Sequence, residues 1–204
     1  IHTLATALRG NRARRDAHED LVERVARTMQ GAGRIVWRGL SLRAQLAPPP
    51  PSATAATGAA DVAGAPDAAA PATPKARWCV AMPDVFSIRH TTVEAYCEPV
   101  VHEIKVSRAD LLGDLRRADK RQAYLDLGGE CWYVLGRDGR GRAIGTADDV
   151  PPECGVLIEL DSGRLDVARP APRRPMPRLP FHVWMALARA TPLAPFDDEA
   201  QGLL

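Results

Sequence analysis

Apolar residues recur along this chain with two different periods. Between residues 12 and 30, Leu21, Val22, Val25, Ala26 and Met29 return at helical spacing, the stripe of a helix that buries one face. Asp16 or a neighbour is placed to cap its start, and Gly31 or Gly33 to end it. Gly33 to Leu42 reads GRIVWRGLSL and alternates, which predicts a strand. A further strand is expected from about Trp78 to Ile88, with Asp84 after Pro83; a proline lacks an N–H and suits a strand end or edge. His90, Thr91 and Thr92 make a turn or begin a middle strand. Val100 to Val106, VVHEIKV, is β-branched and alternating. Side chains two apart share a face, so Glu103 and Lys105 point one way and His102, Ile104 and Val106 the other.

Ser107 with Asp110 has the form of a capping box. It predicts a helix over about Arg108 to Leu127, with Leu111, Leu112, Leu115, Ala118 and Leu125 as its core face. Gly128 and Gly129 suit a left-handed stop. Gly113 costs about 1 kcal/mol against alanine, and close packing on the sheet would explain its place. Glu130 to Leu135 is a strand that sets Trp132 and Tyr133 in the core or at its edge. Arg137 to Gly145, RDGRGRAIG, is a glycine-rich turn without the spacing or lysine of a phosphate-cradling loop. Two short strands, Val156–Leu160 and Arg164–Val167, precede a last helix at about Phe181–Ala190 that turns Val183, Trp184 and Leu187 inward. The tail from Thr191 is expected to be loose. The pattern predicts an α/β fold, a mixed central β-sheet flanked by helices.

Composition changes this picture at one place. From Ala47 to about Pro74 the chain shifts to Pro, Ala and Thr, with four prolines in a row at Pro48–Pro51. Such a stretch has too few large apolar groups to offset its ordering entropy, so 47–76 reads as a flexible insertion. It divides 1–46, with the first helix and strand, from the main body at 77–190 and the tail at 191–204. The 204 residues otherwise fit one ordinary globular domain. The net charge of +2 is too mild to argue a nucleic-acid partner by itself. No run of eighteen apolar residues and no leader pattern occurs, so no membrane span and a cytoplasmic location are expected. Cys79, Cys97, Cys131 and Cys154 form no CxxC pair and read as buried free thiols, ahead of disulfides or a zinc cluster.

Candidate chemistry gathers on the two acid-bearing strands. If they pair, Asp84 sits beside Glu103. Two close carboxylates repel unless a cation lies between them, and hard oxygen ligands partly open to water suit Mg²⁺ or Mn²⁺. On spacing alone, Glu103 and Lys105 read first as an ion pair on an exposed strand face. The helix that follows carries Arg108, Arg116, Arg117, Lys120 and Arg121. Arg116 and Lys120 are four apart, as are Arg117 and Arg121, giving rows of phosphate donors or a solvated face partnered by Asp114, Asp119 and Asp126. Arg169, Arg173, Arg174 and Arg178 could follow a phosphate backbone or wrap the surface. His18 reads as a satisfied, half-buried histidine.

Pro83-Asp84, eighteen intervening residues and Glu103-Ile104-Lys105 resemble the PD-(D/E)XK signature of the restriction-endonuclease-like nucleases. HEIKVSRADLL, Lys120 four residues before Tyr124, ECWYVLG and VPPECGVLIEL are similar to the MmcB-type DNA-repair endonuclease family, over about residues 78–170. The insertion ahead of the first acid, and the long helix before Lys120, depart from that pattern. The resemblance implies a restriction-endonuclease-like core, with Asp84, Glu103, Lys105, Lys120 and Tyr124 as catalytic residues. It implies Mg²⁺ or Mn²⁺ held by Asp84, Glu103 and Ile104, with Glu19 or Glu23 of the leading helix as a further acid; otherwise those glutamates pair with Arg15 or Arg27. Arg108, Arg116, Arg117 and Arg121 are then the candidate contacts to DNA, with the solvated face as their other reading, and a homodimer or a repair-protein partner stays open. The expected activity is metal-dependent endonucleolytic hydrolysis of DNA phosphodiesters in repair. The alternatives are a non-cleaving nucleic-acid-binding module of the same fold, or a structural protein that finds a partner through its proline-rich insertion.

Overall fold

Val100–Lys105 (β5) is buried at all six positions, as a strand covered on both faces is, although His102, Glu103 and Lys105 interrupt its apolar run. The computed structural model describes residues 2–46, 77–176 and 178–194; the expected insertion at 47–76 and the tail from 195 lie outside the described residues. β5 sits inside a six-stranded mixed sheet with β1 (Arg34–Arg38), β4 (Val85–Arg89), β6 (Glu130–Leu135), β7 (Gly155–Glu159) and β8 (Leu165–Arg169), in the order β1-β4-β5-β6-β7-β8. The β5–β6 and β6–β7 pairs are parallel and the others antiparallel. β2 (Leu42–Leu46) and β3 (Arg77–Ala81) form a separate antiparallel pair.

Period-two alternation splits the core in two. On one face Val36, Val85, Ile104 and Val134 meet Leu21, Val22, Val25 and Ala26 of helix α1 (His2–Gly31). On the other, Phe86, Val101, Tyr133 and Leu135 meet helices α2 (Arg108–Leu115), α3 (Ala118–Leu127) and α4 (Phe181–Arg189) through Leu111, Tyr124 and Val183. The small β2–β3 sheet packs on α3 and α4. His102 shares the α1 face, fully buried; burial, with Arg34 nearby, pushes its pKa down to about 3, so the ring is uncharged. Among the described residues no helix is long and apolar enough to cross a membrane. Cys97, Cys131 and Cys154 are buried free thiols and Cys79 is half-buried.

Several expected elements divide. α1 begins at His2, because the Ala-, Leu- and Arg-rich run before residue 16 favours helix; Asp16 is interior and caps nothing. The strand expected over Gly33–Leu42 breaks at Gly39, whose φ of 57° is left-handed, and sends β1 and β2 to different sheets. The strand expected over Trp78–Ile88 breaks at Met82–Asp84, leaving Asp84 between β3 and β4. The helix after Lys105 breaks at Arg117 (ψ 73°) into α2 and α3. Ser107 holds the N-cap position of α2 without a side-chain capping bond. Gly128 is extended rather than left-handed. Space selects it, since a Cβ there would lie 2.6 Å from the Glu130 carbonyl oxygen. Gly113 faces open space, and Leu112 and Ala118 are exposed.

The arginine-rich C-terminal stretch ties loops together. Arg169 donates to the carbonyls of Ala147, Val150, Pro151 and Cys154, and Arg174 to that of Gly128. Arg173 pairs with Glu130 and Arg178 with Glu94. The start of the tail is attached, since the Leu193 N–H donates to the Val36 carbonyl at 2.7 Å.

Two glycines should answer alanine in opposite ways. A Cβ at Gly155 would lie 2.5 Å from Trp132 Cε3 and 2.7 Å from the Ala171 backbone, so Gly155→Ala should lower unfolding free energy by about 1–3 kcal/mol. Gly113→Ala should raise it by up to about 1 kcal/mol. Urea denaturation of the two variants checks both signs.

Candidate active site

The β4–β5 ladder ends at the Val85–His102 pair. Two residues further the same register would set Pro83 opposite Ile104, and proline has no N–H for the Ile104 carbonyl. The Asp84 side chain takes up part of what the strand leaves: its Oδ2 accepts the Ile104 N–H at 2.7 Å. A residue's N–H and C=O leave an antiparallel strand on the same edge, so the Ile104 carbonyl faces the Asp84 side. The other Asp84 oxygen lies 3.4 Å from His18 Nε2, and this hydrogen bond raises the His18 pKa against the effect of burial.

Glu103 and Lys105 flank that anchor and project to the α2–α3 face. Glu103 Oε1 accepts from Lys105 Nζ and from Lys120 Nζ, each at 2.6 Å. Lys120 Nζ also donates to Asp114 Oδ1 at 2.7 Å. Lys105 Nζ lies 3.7 Å from the same Asp114 oxygen and 3.6 Å from Asp110. Asp114 Oδ2 accepts the Tyr133 hydroxyl at 2.9 Å. Tyr124 donates to the Met82 carbonyl at 2.9 Å and sets its ring 5.1 Å from the Lys120 ammonium, a cation–π contact. Two buried carboxylates thus face two ammonium groups, balanced in charge.

Burial is the largest single influence on each of these groups, and neighbouring charges overturn it at two of them. It raises the Glu103 carboxyl although Lys105 and Lys120 pull the other way. It would raise Asp114 too, but Lys105 and Lys120 outweigh it and hold that carboxyl below the usual range. It would lower Lys105, but Glu103 and Asp114 prevail and keep the ammonium charged. Burial and then the neighbouring carboxylates, Glu103 for Tyr124 and Asp114 for Tyr133, push both hydroxyls far above their ordinary range.

The fold therefore brings Asp84, Glu103, Ile104, Lys105, Lys120 and Tyr124 together. Glu103 and Lys105 are 3% and 5% exposed, which excludes an ion pair on an open strand face. The break at Arg117, rather than a longer single helix, carries Lys120 back to Glu103. Glu19 does not join: its carboxylate pairs with Arg38 of β1 at 2.9 Å and lies 3.6 Å from His18 Nδ1. Glu23 pairs with Arg38 and with Arg27. Arg108 is engaged by both oxygens of Asp149, at 2.6 and 2.8 Å, and Arg121 by Glu153 and the Leu115 carbonyl. Arg116 and Arg117 are exposed at the helix break, which falls between Arg116 and Lys120, while the Arg121 N–H still bonds to the Arg117 carbonyl at 3.2 Å. Sequence reasoning missed Asp114, Tyr133 and the contact of His18. Asp114 follows Leu111 by three residues, on the buried face of α2; that spacing was the available signal.

Among the described residues no three His, Cys, Asp or Glu side chains stand together as a ready metal site; beside Glu103 the neighbouring groups are ammonium ions. The donor set nevertheless suits a hard cation. Glu103 Oε2 is buried and has no hydrogen-bond partner among the described residues, the Asp84 carboxylate lies across the strand edge, and the Ile104 carbonyl faces it. No family model, curated protein or solved structure matches the chain. Fold and site define it as a mixed α/β protein whose six-stranded sheet carries a buried acid–lysine cluster.

Asp114→Asn leaves two ammonium groups to one buried carboxylate, Glu103, with the exposed Asp110 the other acid within reach of Lys105, and should lower stability by about 3 kcal/mol. Adding Lys120→Met restores the balance and should recover at least about 1 kcal/mol. Urea denaturation of the single and double variants at pH 7 measures the coupling; additive losses would show that the four groups do not act as a unit.

Proposed function

We propose that the protein is a metal-dependent endonuclease of the PD-(D/E)XK type that hydrolyses DNA phosphodiesters, in a repair setting. The observation that carries this reading is the bond from the Ile104 N–H to Asp84, with Glu103 and Lys105 on either side of it. Asp84, Glu103 and the Ile104 carbonyl would hold Mg²⁺ or Mn²⁺. Such an ion supplies a bound water of lowered pKa and a counter-charge for the phosphate. Lys105, kept charged by Glu103 and Asp114, orients that water or offsets developing charge. Lys120 has a second acceptor in Asp114, so releasing Glu103 leaves its ammonium hydrogen-bonded, while Lys105 keeps Asp110 at 3.6 Å and Asp114 at 3.7 Å. Tyr124 is a positioning residue: its hydroxyl holds the Met82 carbonyl, two residues before Asp84.

A groove of about 1160 Å³ runs past Val106 and Ser107, which follow Lys105 in the chain. Arg14, Arg108, Arg137, Arg140 and Arg142 line it against Asp138 and Asp149, an arginine excess suited to a phosphate backbone.

One observation favours a second reading. Two ammonium groups already share one oxygen of Glu103, as they would in a structural ion network of a non-cleaving nucleic-acid-binding module. Incubating the protein with nicked, branched, single-stranded and duplex DNA, with and without Mn²⁺, separates the two. Cleavage should require Mn²⁺ and fall by about 100-fold or more in Asp84→Ala and Lys105→Ala, with DNA binding retained. Tight binding without cleavage of any substrate would replace this function with the second reading; neither binding nor cleavage would leave a structural role.

A further inference from the structure

The face of the sheet away from the acid–lysine cluster holds a second cavity, of about 700 Å³. Val25 and Met29 of α1 form one wall and the segment 173–176 another. α1 covers β1, β4 and β5, whereas Leu157 of β7 and Leu165 and Val167 of β8 open onto the cavity, Val167 with 54% of its surface exposed. This is the size of a site for a small organic ligand.

Its floor is flat and aromatic. His102 and Trp132 are partners in the parallel β5–β6 ladder, and their rings stack at 6.4 Å with 14° between planes. Two buried nitrogens of lining residues, His102 Nδ1 and Arg174 Nε, have no hydrogen-bond partner among the described residues. Leaving such a group unpaired costs about 1–3 kcal/mol, and two of them border one cavity. Charge is one-sided as well: Arg34, Arg89, Arg173 and Arg174 line the cavity against Glu98 and Glu130. Arg34 is committed to Ser87 and the Glu98 carbonyl, Arg89 to Glu98, and Arg173 to Glu130. Arg174 spends one terminal nitrogen on the Gly128 carbonyl and keeps Nε unpaired. Glu98, at the rim, holds a left-handed backbone with φ 40°, a conformation that a non-glycine residue adopts at some cost.

We propose that this cavity binds a small planar aromatic molecule carrying one anionic group. The ring lies against Trp132, which the buried His102 backs, between apolar walls, and the anion accepts from Arg174 Nε, with His102 Nδ1 as the second donor. The inference does not rest on the nuclease reading, since the cavity and the acid–lysine cluster lie on opposite faces of β5.

The test is calorimetric titration of the full chain with naphthalene-2-sulfonate and, separately, with its uncharged parent, naphthalene. The sulfonate should bind once per chain, and at least 10-fold more tightly than the parent. Val167→Trp, at the exposed mouth, should weaken both at least 10-fold while the thermal unfolding midpoint stays unchanged. Arg174→Gln should weaken the sulfonate about 10-fold and leave the parent unaffected. Sulfonate binding untouched by Val167→Trp, several sites per chain, or equal affinity for the two probes would overturn the proposal. Displacement of the sulfonate by a single-stranded oligonucleotide would instead make this face a nucleic-acid surface.

Discussion

The interaction on which this structure turns is the bond from the Ile104 N–H to the Asp84 carboxylate. β4 cannot continue its ladder along β5, because the register brings a proline to the next hydrogen-bonding position. A side chain replaces the backbone there, and the replacement is an acid. One bond thereby ends a strand, fixes an aspartate against the sheet and sets it between Glu103 and Lys105. His18 reaches the same carboxylate from α1, so both layers of the molecule converge on it.

The second constraint is charge balance under burial. Removing four charged groups from water costs several kcal/mol per ion unless each finds opposite charge and hydrogen bonds. Glu103, Asp114, Lys105 and Lys120 meet that condition with Tyr133 as an extra donor. Glu103 Oε2 is the exception, a buried lone-pair site without a donor. An apolar cluster of the same volume would hold α2 and α3 to the sheet at lower cost, so stability alone gives no reason for the cluster.

β5 serves two environments because neighbouring side chains on a strand point to opposite faces. Glu103 and Lys105 enter the charged cluster, while His102 and Ile104 enter the layer under α1. α1 is too narrow to cover the whole of its face. What it leaves bare toward β7 and β8 is the second cavity, with the His102–Trp132 stack beneath it.

Local pattern was enough to assign β5, β6 and β7, the stripe of α1, the last helix and the common face of Glu103 and Lys105, because strand parity and helix period are properties of neighbouring residues. The pairing of the two acid-bearing stretches stood only as a condition; β4 does pair with β5, but Asp84 itself falls outside both strands. The breaks at Gly39 and Arg117 did not follow, since each depends on where the next segment must pack; Pro83 marked a strand end, but not that the expected strand would divide between two sheets. Long-range packing alone decided the partners. It joined Glu19 to Arg38 of β1 rather than to the acid site, joined Arg108 to Asp149, and buried Asp114 where a solvated partner for arginine was expected. An ionic side chain in water carries no record in its sequence of which opposite charge the fold will bring within 3 Å; only the arrangement of the layers settles that.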